Sequence, residues 1–155
     1  MTNEEIKTLF EEKIKTNTMR NVWSDNRFYK EGEQSFIYKW FNQLNEDQIC
    51  FYLKKDHTIL SIIENQSDHI CEFAICCDYE SIRFIKNQKN HLCKLAISKN
   101  ATMIRFVKNQ TVDLCLLSLE IYMPNYKHIR IVPNPDYETT LKNLYEKKAI
   151  LDLLK

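Results

Sequence analysis

The chain has 155 residues, a length typical of one domain with a continuous hydrophobic core, so we expect a single domain over residues 1–155. Its 22 basic and 21 acidic residues give a net charge of +1, which provides no overall field that would favour nucleic acid or an anionic membrane. No apolar run approaches the roughly 20 residues of a membrane span and the charged start MTNEEIK is unlike a signal peptide, so we expect a soluble protein of a reducing, intracellular compartment such as the cytoplasm.

Residues 1–44 are predicted to form an N-terminal helical cap. Thr2 and Glu5 have the spacing of a capping box, and apolar residues recur behind them at helical spacing. A second helix is expected over about residues 34–44. Its apolar side chains are Phe36, Trp40 and Phe41.

Residues 17–33 separate these two helices and are polar with scattered aromatic side chains. Their pattern predicts no particular secondary structure. We treat Trp23 as a candidate contact residue, because this aromatic segment is one of the two surfaces through which we expect a protein partner to bind.

A segment of about 22 residues repeats head to tail through the middle of the chain. Residues 67–88 read SDHICEFAICCDYESIRFIKNQ, and residues 89–110 read KNHLCKLAISKNATMIRFVKNQ. The two copies are identical at ten positions. Self-similarity at a fixed period is typical of repeat proteins, in which each unit stacks on its neighbours to bury a face that it cannot bury alone.

Weaker copies extend the repeat on both sides. In the last copy, the second half arrives three residues late, so that Arg130 corresponds to Arg105 at a spacing of 25. We expect the loop around Pro124 to take up this insertion. The predicted copies are four, at about residues 45–66, 67–88, 89–110 and 111–135.

Each copy is predicted to be a helix-turn-helix. The first helix has apolar residues at helical spacing, and Ser67 and Thr111 are expected N-caps. The second helix is expected to begin at a cap-type residue. Asparagine is expected to close each unit in the left-handed conformation, and small residues are expected to let neighbouring helices approach closely. The three columns are Asp56, Asp78 and Asn100 at the second helix start, Asn65, Asn87 and Asn109 at the close, and Ala74, Ala96 and Ser118 as the small residues.

Residues 136–155 are predicted to form a C-terminal capping helix. Asn134 followed by Pro135 has the pattern of an N-cap with proline at the first helical position. Apolar residues that recur from Leu141 to Leu154 are expected to cover the end of the stack.

Four of the six cysteines are assigned to one repeat position and are expected to form a column of buried free thiols. Helices in contact are separated by about 10 Å, which is too far for a disulfide or for shared zinc ligation. We therefore expect no metal site. The four residues are Cys50, Cys71, Cys93 and Cys115.

The sequence contains none of the common catalytic motifs. A single glycine excludes a glycine-rich phosphate loop, and no HExxH, GxSxG or paired CxxC occurs. We expect no enzyme activity, no catalytic residue and no cofactor.

A basic column in the second helices carries the main functional interest. Its predicted members are Arg83, Arg105 and Arg130, accompanied by Lys86 and Lys108. Stacked repeats would align these side chains into a ladder that can follow a phosphate backbone or an acidic protein segment. The alternative is a solvated face whose long side chains cover apolar surface and pair with nearby acids.

The phrases IRFIKNQ, IRFVKNQ and LCKLAISKNATMIRFVKNQTVDLCLLSL resemble the short helical repeats of a family of unknown function, abundant in giant DNA viruses of amoebae and present in some intracellular bacteria. The resemblance covers about residues 45–135, and it implies a viral protein of the host cytoplasm or virion. The chain departs from the family by lacking the common Asn-Gly between the two helices. The family brings no catalytic residue or cofactor.

We therefore predict an all-α, helical-repeat solenoid of about four helix-turn-helix units with N- and C-terminal capping helices. Our leading hypothesis is a non-enzymatic adaptor or scaffold that binds a protein partner. One alternative is a nucleic-acid-binding repeat protein that uses the basic column. Another is a structural subunit of a virion or homo-oligomer, docking through a stack end or through residues 136–155.

Overall fold

The computed structural model describes residues 1–16 and 33–155, and this part of the chain contains seven α-helices, four short 3₁₀ helices and no strand. The predicted all-α class is confirmed. Trp23 and most of the segment 17–33 lie outside the described residues. Two compact units divide the chain, Met1–Lys86 (unit 1) and Asn87–Lys155 (unit 2).

The described residues of unit 1, 1–16 and 33–86, form four α-helices and two 3₁₀ helices. In chain order these are α1 (Asn3–Lys15), α2 (Glu33–Phe41), α3 (Glu46–Lys55), η1 (His57–Ile62), α4 (Asp68–Cys77) and η2 (Tyr79–Phe84). Unit 2 contains three α-helices and two 3₁₀ helices, namely α5 (Asn90–Lys99), η3 (Ala101–Phe106), α6 (Val112–Ile121), η4 (Met123–His128) and α7 (Tyr137–Leu153).

The repeat is an α-helix of ten residues followed by a 3₁₀ helix of six residues, at intervals of 22 residues. The second helix of the predicted pair is therefore 3₁₀ and not α. Its start was predicted correctly, because Asp56, Asp78 and Asn100 each accept a hydrogen bond from the backbone N–H two residues later. Ser67 and Thr111 are the N-caps of α4 and α6, as predicted.

A β-branched residue in extended conformation follows each of the first three 3₁₀ helices, so the helix ends there and not at the asparagine of the repeat. These C-cap residues are Ile63, Ile85 and Val107, all buried. The predicted role of the asparagines in closing the helix is therefore wrong. The buried aliphatic side chain requires an extended backbone that turns it into the core.

The predicted insertion around Pro124 is wrong. The helix η4 begins 22 residues after η3, and Pro124 occupies its second position. In the other 3₁₀ helices this second residue donates its N–H to the cap side chain. Proline has no N–H to donate, and the cap position is correspondingly taken by Tyr122, which makes no side-chain cap hydrogen bond. Sequence identity is lost here while the period is kept.

The register of the first repeat also differs from the prediction. Because α3 begins 22 residues before α4, Ile49 occupies the position of Cys71, and Cys50 lies one residue further along the helix. The cysteine column therefore contains Cys71, Cys93 and Cys115. All three are buried, as predicted, and Cys50 is buried as well.

The glutamines that end the first three repeats bind, through the side-chain amide, backbone groups at the end of the 3₁₀ helix that comes next in the chain. In unit 2, Gln110 Nε2 donates to the carbonyls of Ile104 (3.1 Å) and His128 (2.8 Å), while its Oε1 accepts from the Arg130 N–H (2.8 Å). The amide thus satisfies backbone groups at the end of η4 that have no partner within the short helix.

The same arrangement recurs at the other glutamines. Gln66 donates to Phe84 O (3.0 Å) and accepts from the Lys86 N–H (2.8 Å) in unit 1. Gln88 donates to Phe106 O (3.2 Å) and accepts from the Lys108 N–H (2.8 Å) in unit 2.

Asparagines bind backbone groups at the first and last 3₁₀ helices, and Asn134 does so within its own repeat only. Asn42, just after α2, donates to Ile62 O (3.0 Å) and accepts from the Glu64 N–H (2.8 Å). Asn134 donates to Tyr126 O (3.0 Å) and Ile129 O (3.1 Å). The prediction that Asn134 caps the last helix is wrong, since Asp136 is the N-cap of α7.

An aromatic cluster fills the N-terminal end of unit 1. Phe10 of α1 contacts Trp40 and Phe41 of α2 and Tyr52 of α3, with ring centroids 5.1–5.6 Å apart. Tyr52 occupies the position of the small residues of later repeats, where α1 and α2 provide the partner surface. The capping box of Thr2 is confirmed. The helix α2 differs slightly from the prediction, because it spans Glu33–Phe41 and leaves Phe36 exposed.

Helix α7 packs on α6 and η4, but only Thr140 and Leu144 are buried. With 17 residues against ten, it is longer than the repeat helices by about 10 Å. Its second half therefore leaves large apolar residues exposed, which corrects the prediction that they cover the end of the stack. They are Tyr145, Ile150, Leu151, Leu153 and Leu154.

Replacement of Gln110 by leucine tests the amide contacts. The variant keeps a side chain of similar size but removes the partner of His128 O and of the Arg130 N–H, while Ile104 O keeps the Val107 N–H, so we expect the free energy of unfolding to fall by about 3 kcal/mol. Urea denaturation followed by circular dichroism measures this change. The exposed Gln43→Leu is the matched control, with an expected change within about 0.5 kcal/mol. Equal losses in both variants would contradict the assigned role.

Restoration of the missing cap in η4 needs two substitutions. Tyr122→Asp alone provides an acceptor without a donor, and Pro124→Thr alone provides a donor without an acceptor. Together they recreate the Asp56–Thr58 arrangement, so we expect a favourable coupling of about 1 kcal/mol in a double-mutant cycle of unfolding free energies. Additive effects of the two substitutions would show that the lost cap is not what distinguishes η4.

Candidate functional site

Four cationic side chains lie on the 3₁₀ helices of unit 2 and the residues that follow them. We call Arg105, Lys108, Lys127 and Arg130 the basic 3₁₀ surface, and all four are exposed. The helices η3 and η4 are in contact, so the four residues belong to one region. The segments 101–110 and 122–135 contain no aspartate or glutamate. The local charge is therefore strongly positive.

The corrected register changes the predicted column. Arg130 follows Lys108 by 22 residues and is the counterpart of Lys86 and Lys108, while Lys127 is the counterpart of Arg83 and Arg105. The sequence reasoning missed Lys127, because the assumed insertion shifted the last repeat by three residues. The spacing of 22 residues that continues through the aliphatic residues Ile85, Val107 and Ile129 was the signal that could have found it.

Two of these cations make cation–π contacts with neighbouring aromatic rings. The guanidinium of Arg105 lies 4.5 Å from the ring centroid of Phe106, and Lys127 Nζ lies 5.8 Å from that of Tyr126. Such contacts contribute about 0.5–1 kcal/mol at exposed sites. They hold each charge near the surface and leave its donor groups accessible.

Arg130 has a structural role in addition to its charge. Its guanidinium donates to Arg105 O (3.2 Å) and to Val107 O, at the end of the preceding 3₁₀ helix. Lys86 makes the equivalent contact in unit 1, where Nζ donates to Ile63 O (2.7 Å). At this repeat position, a long cationic side chain satisfies carbonyls that the short helix leaves open.

In unit 1 the basic residues are mixed with acidic ones. Arg83 lies 3.5 Å from Glu80, and Glu64 takes the position that Lys86 has in the next repeat. The predicted alternative, a solvated face with local ion pairs, therefore describes Arg83, whereas Lys86 donates to backbone carbonyls. In unit 2, by contrast, the segments that contain the predicted residues Arg105, Lys108 and Arg130 have no acidic residue.

A second surface feature is a groove of about 540 Å³ between α1 and α3 in unit 1, which we call the acidic groove. Trp40 and Tyr52 form part of its floor, and the exposed ring of Phe51 forms a wall. Three carboxylates and one lysine give its lining a net charge of −2. The charged residues are Glu4, Glu11, Asp47 and Lys7.

The hydroxyl of Tyr52 lies beside the negative charges of this groove. It donates to Glu11 Oε1 at 3.2 Å. Burial, together with this hydrogen bond and the charges of Glu11 and Glu4, raises the pKa of Tyr52 to about 12. Tyr52 therefore remains a neutral donor at physiological pH.

The buried cysteines are unreactive by their surroundings. Burial raises the pKa of Cys115 to about 12 and also raises the pKa of Cys93. The thiol form is the poor nucleophile and poor metal ligand, so both residues act as small apolar side chains. Cys76 and Cys77 are exposed.

Within residues 1–16 and 33–155, no group of three or more histidine, cysteine or acidic side chains is arranged to hold a metal ion. None of the helices in these ranges has the length and apolar character needed to span a membrane. The candidate contact Trp23 lies outside these ranges.

Comparison of the chain with protein-family models, curated proteins and solved structures finds no match. The resemblance to the viral repeat family therefore stays a prediction.

Burial of Cys115 predicts a loss of stability at alkaline pH. The unfolded thiol loses its proton near its ordinary pKa of 9.0, whereas the folded thiol keeps it up to about pH 12. Its contribution to stability is therefore complete below about pH 9 and declines as the pH rises towards 12. We expect Cys115→Ala to show a smaller decrease of the urea midpoint between about pH 7 and about pH 10 than the wild type.

Cys76→Ala, at an exposed position, is the control and should keep the wild-type pH dependence. Parallel pH profiles of wild type and Cys115→Ala would contradict the role assigned to burial of this thiol.

Proposed function

We propose that the chain is a non-enzymatic helical-repeat adaptor that binds an acidic segment of a protein partner on the basic 3₁₀ surface. In this proposal the α/3₁₀ pairs stack as a solenoid of four repeats between N- and C-terminal caps. A repeat array holds equivalent side chains at regular spacing, which suits an extended ligand.

The observation that supports this proposal best is the concentration of Arg105, Lys108 and Lys127 in segments that contain no acidic residue. In unit 1, by contrast, Arg83 is paired with Glu80 at 3.5 Å. Complementary charge accelerates encounter and selects the partner, while affinity comes from the contacts that follow. An acidic peptide with apolar side chains could use both the cations and the partly buried rings of Phe106 and Tyr126.

A nucleic-acid-binding function is the second candidate, and one observation favours it. Partly buried rings (Phe106, Tyr126, His128) alternate with the cations on this surface, and bases stack on aromatic side chains while phosphates pair with lysine and arginine. A structural subunit of a virion or larger assembly is the third candidate, and it concerns α7.

Binding of two labelled probes to the full chain separates the first two functions. The probes are a glutamate-rich peptide and a single-stranded oligonucleotide of equal charge, each titrated at several salt concentrations. The adaptor function predicts that the peptide binds at least as tightly as the oligonucleotide at about 0.15 M salt. Tighter binding of the oligonucleotide at this salt concentration would contradict the adaptor function and favour the second candidate.

The variant Arg105→Gln/Lys108→Gln/Lys127→Gln locates the binding surface, while Arg130 is kept because its side chain holds backbone carbonyls. We expect at least a tenfold weaker peptide affinity, equal to about 1.4 kcal/mol. Lys89→Gln/Lys94→Gln/Lys99→Gln, at exposed positions in the same unit, removes the same number of charges and is the matched control. Similar losses in both variants would show that general charge, and not this surface, governs binding.

A further inference from the structure

The second half of α7 presents an apolar face that its own unit does not cover. Ile150, Leu153 and Leu154 are 60%, 86% and 79% exposed. Their i, i+3, i+4 spacing places them on one side of the helix, opposite the buried Leu144. Residues 142–155 contain four lysines and two acidic residues. This segment is therefore a cationic helix with an exposed apolar stripe.

The acidic groove of unit 1 has the complementary properties. Its lining carries a net charge of −2, from Glu4, Glu11 and Asp47 against one lysine. Its wall includes Phe51, a ring that is 54% exposed. A groove between two helices, with an apolar floor and a charged rim, is suited to an amphipathic helix bound by side chains at i, i+3 and i+4.

The net charges of the two units have the same signs as these two surfaces, negative for unit 1 and positive for unit 2. Unit 1 has 11 basic and 15 acidic residues, and unit 2 has 11 basic and 6 acidic residues, which gives net charges of −4 and +5. Two copies of the chain therefore attract each other when unit 2 of one approaches unit 1 of the other. Approach of like units is repelled.

We propose that the second half of α7 of one copy binds in the acidic groove of a second copy. Ile150, Leu153 and Leu154 contact Phe51 and the groove floor, while the lysines of α7 lie near Glu11 and Asp47. One contact then covers the exposed apolar side chains of both surfaces. The basic 3₁₀ surface takes no part in it and stays accessible.

This contact is heterologous, because the two copies use different surfaces. The copy that donates its helix keeps a free groove, and the copy that accepts it keeps a free helix, so the association continues head to tail and forms rings or open chains. The area of one helix end is small, so the affinity is low and depends on concentration. Screening of the charge pairs weakens it further as salt is added.

Light scattering and analytical ultracentrifugation of the full chain test the proposal. We expect the average mass to increase with concentration at low salt and to fall towards the monomer at about 1 M salt, where the Debye length is about 3 Å. Phe51→Ala in the groove and Leu153→Asp on the helix should each weaken self-association by on the order of tenfold or more. A monomer at all concentrations at low salt would overturn the proposal.

Mixing the two variants distinguishes this contact from other modes of association. Phe51→Ala retains an intact helix and Leu153→Asp retains an intact groove, so an equimolar mixture should form dimers that do not grow further. If only Leu153→Asp dissociates the assembly and Phe51→Ala has no effect, α7 pairs with α7 and the groove is not its site. A mixture that stays monomeric would likewise contradict the proposal.

The control is Ile121→Asp, which introduces the same charge at a residue that is 49% exposed and belongs to neither surface. It should associate like the wild type. All three substitutions replace exposed side chains, so circular dichroism and the urea midpoint should show the folded state unchanged. A loss of association in Ile121→Asp equal to that in Leu153→Asp would overturn the specific role of α7.

Discussion

The side-chain amide at the end of each repeat is the interaction on which the rest of the structure depends. A 3₁₀ helix of six residues satisfies few of its own backbone groups, and its last carbonyl and the N–H two residues beyond it need partners from elsewhere. Glutamine provides a donor and an acceptor on one planar group and reaches both at once, as Gln110 does at 2.8 Å each. The glutamine of one repeat thereby holds in place the residues that directly follow the next 3₁₀ helix. Register between repeats is set by hydrogen bonds, while buried aliphatic side chains provide most of the stabilisation.

These hydrogen bonds also determine which charged residues are exposed. The N–H that binds the glutamine belongs to Lys86, Lys108 or Arg130, so this residue always follows the buried C-cap and projects its side chain outward. Arg130 and Lys86 then fold back onto the carbonyls of the preceding repeat, whereas Arg105 and Lys127 rest on aromatic rings. The basic 3₁₀ surface is consequently a mixture of structural and accessible cations. Its proposed binding function rests on the accessible ones.

Much of the local structure could be predicted from the sequence because it depends on neighbouring residues. Asp56, Asp78 and Asn100 bind an N–H two residues away, and Thr2 binds Glu5, so short motifs are sufficient to locate these helix ends. The exposed character of Arg83 and Arg105 followed from the buried residues beside them. Errors arose where identity between repeats was lost. Pro124 lacks the N–H donor and Tyr122 lacks a capping side chain, so a correct period was interpreted as an insertion.

By itself, the sequence determined the period of 22 residues, the helical class and most of the caps, because a repeat copies its local hydrogen bonds along with its residues. The tertiary structure was needed to show that the second helix is 3₁₀, that Asn42 provides the amide contacts ahead of the first repeat, and that Arg130 binds carbonyls of the preceding repeat. The last two contacts join groups 20 and 25 residues apart in the chain, whose pairing no local pattern specifies. The tertiary structure also leaves the end of α7 exposed, since this helix is longer than the elements on which it packs.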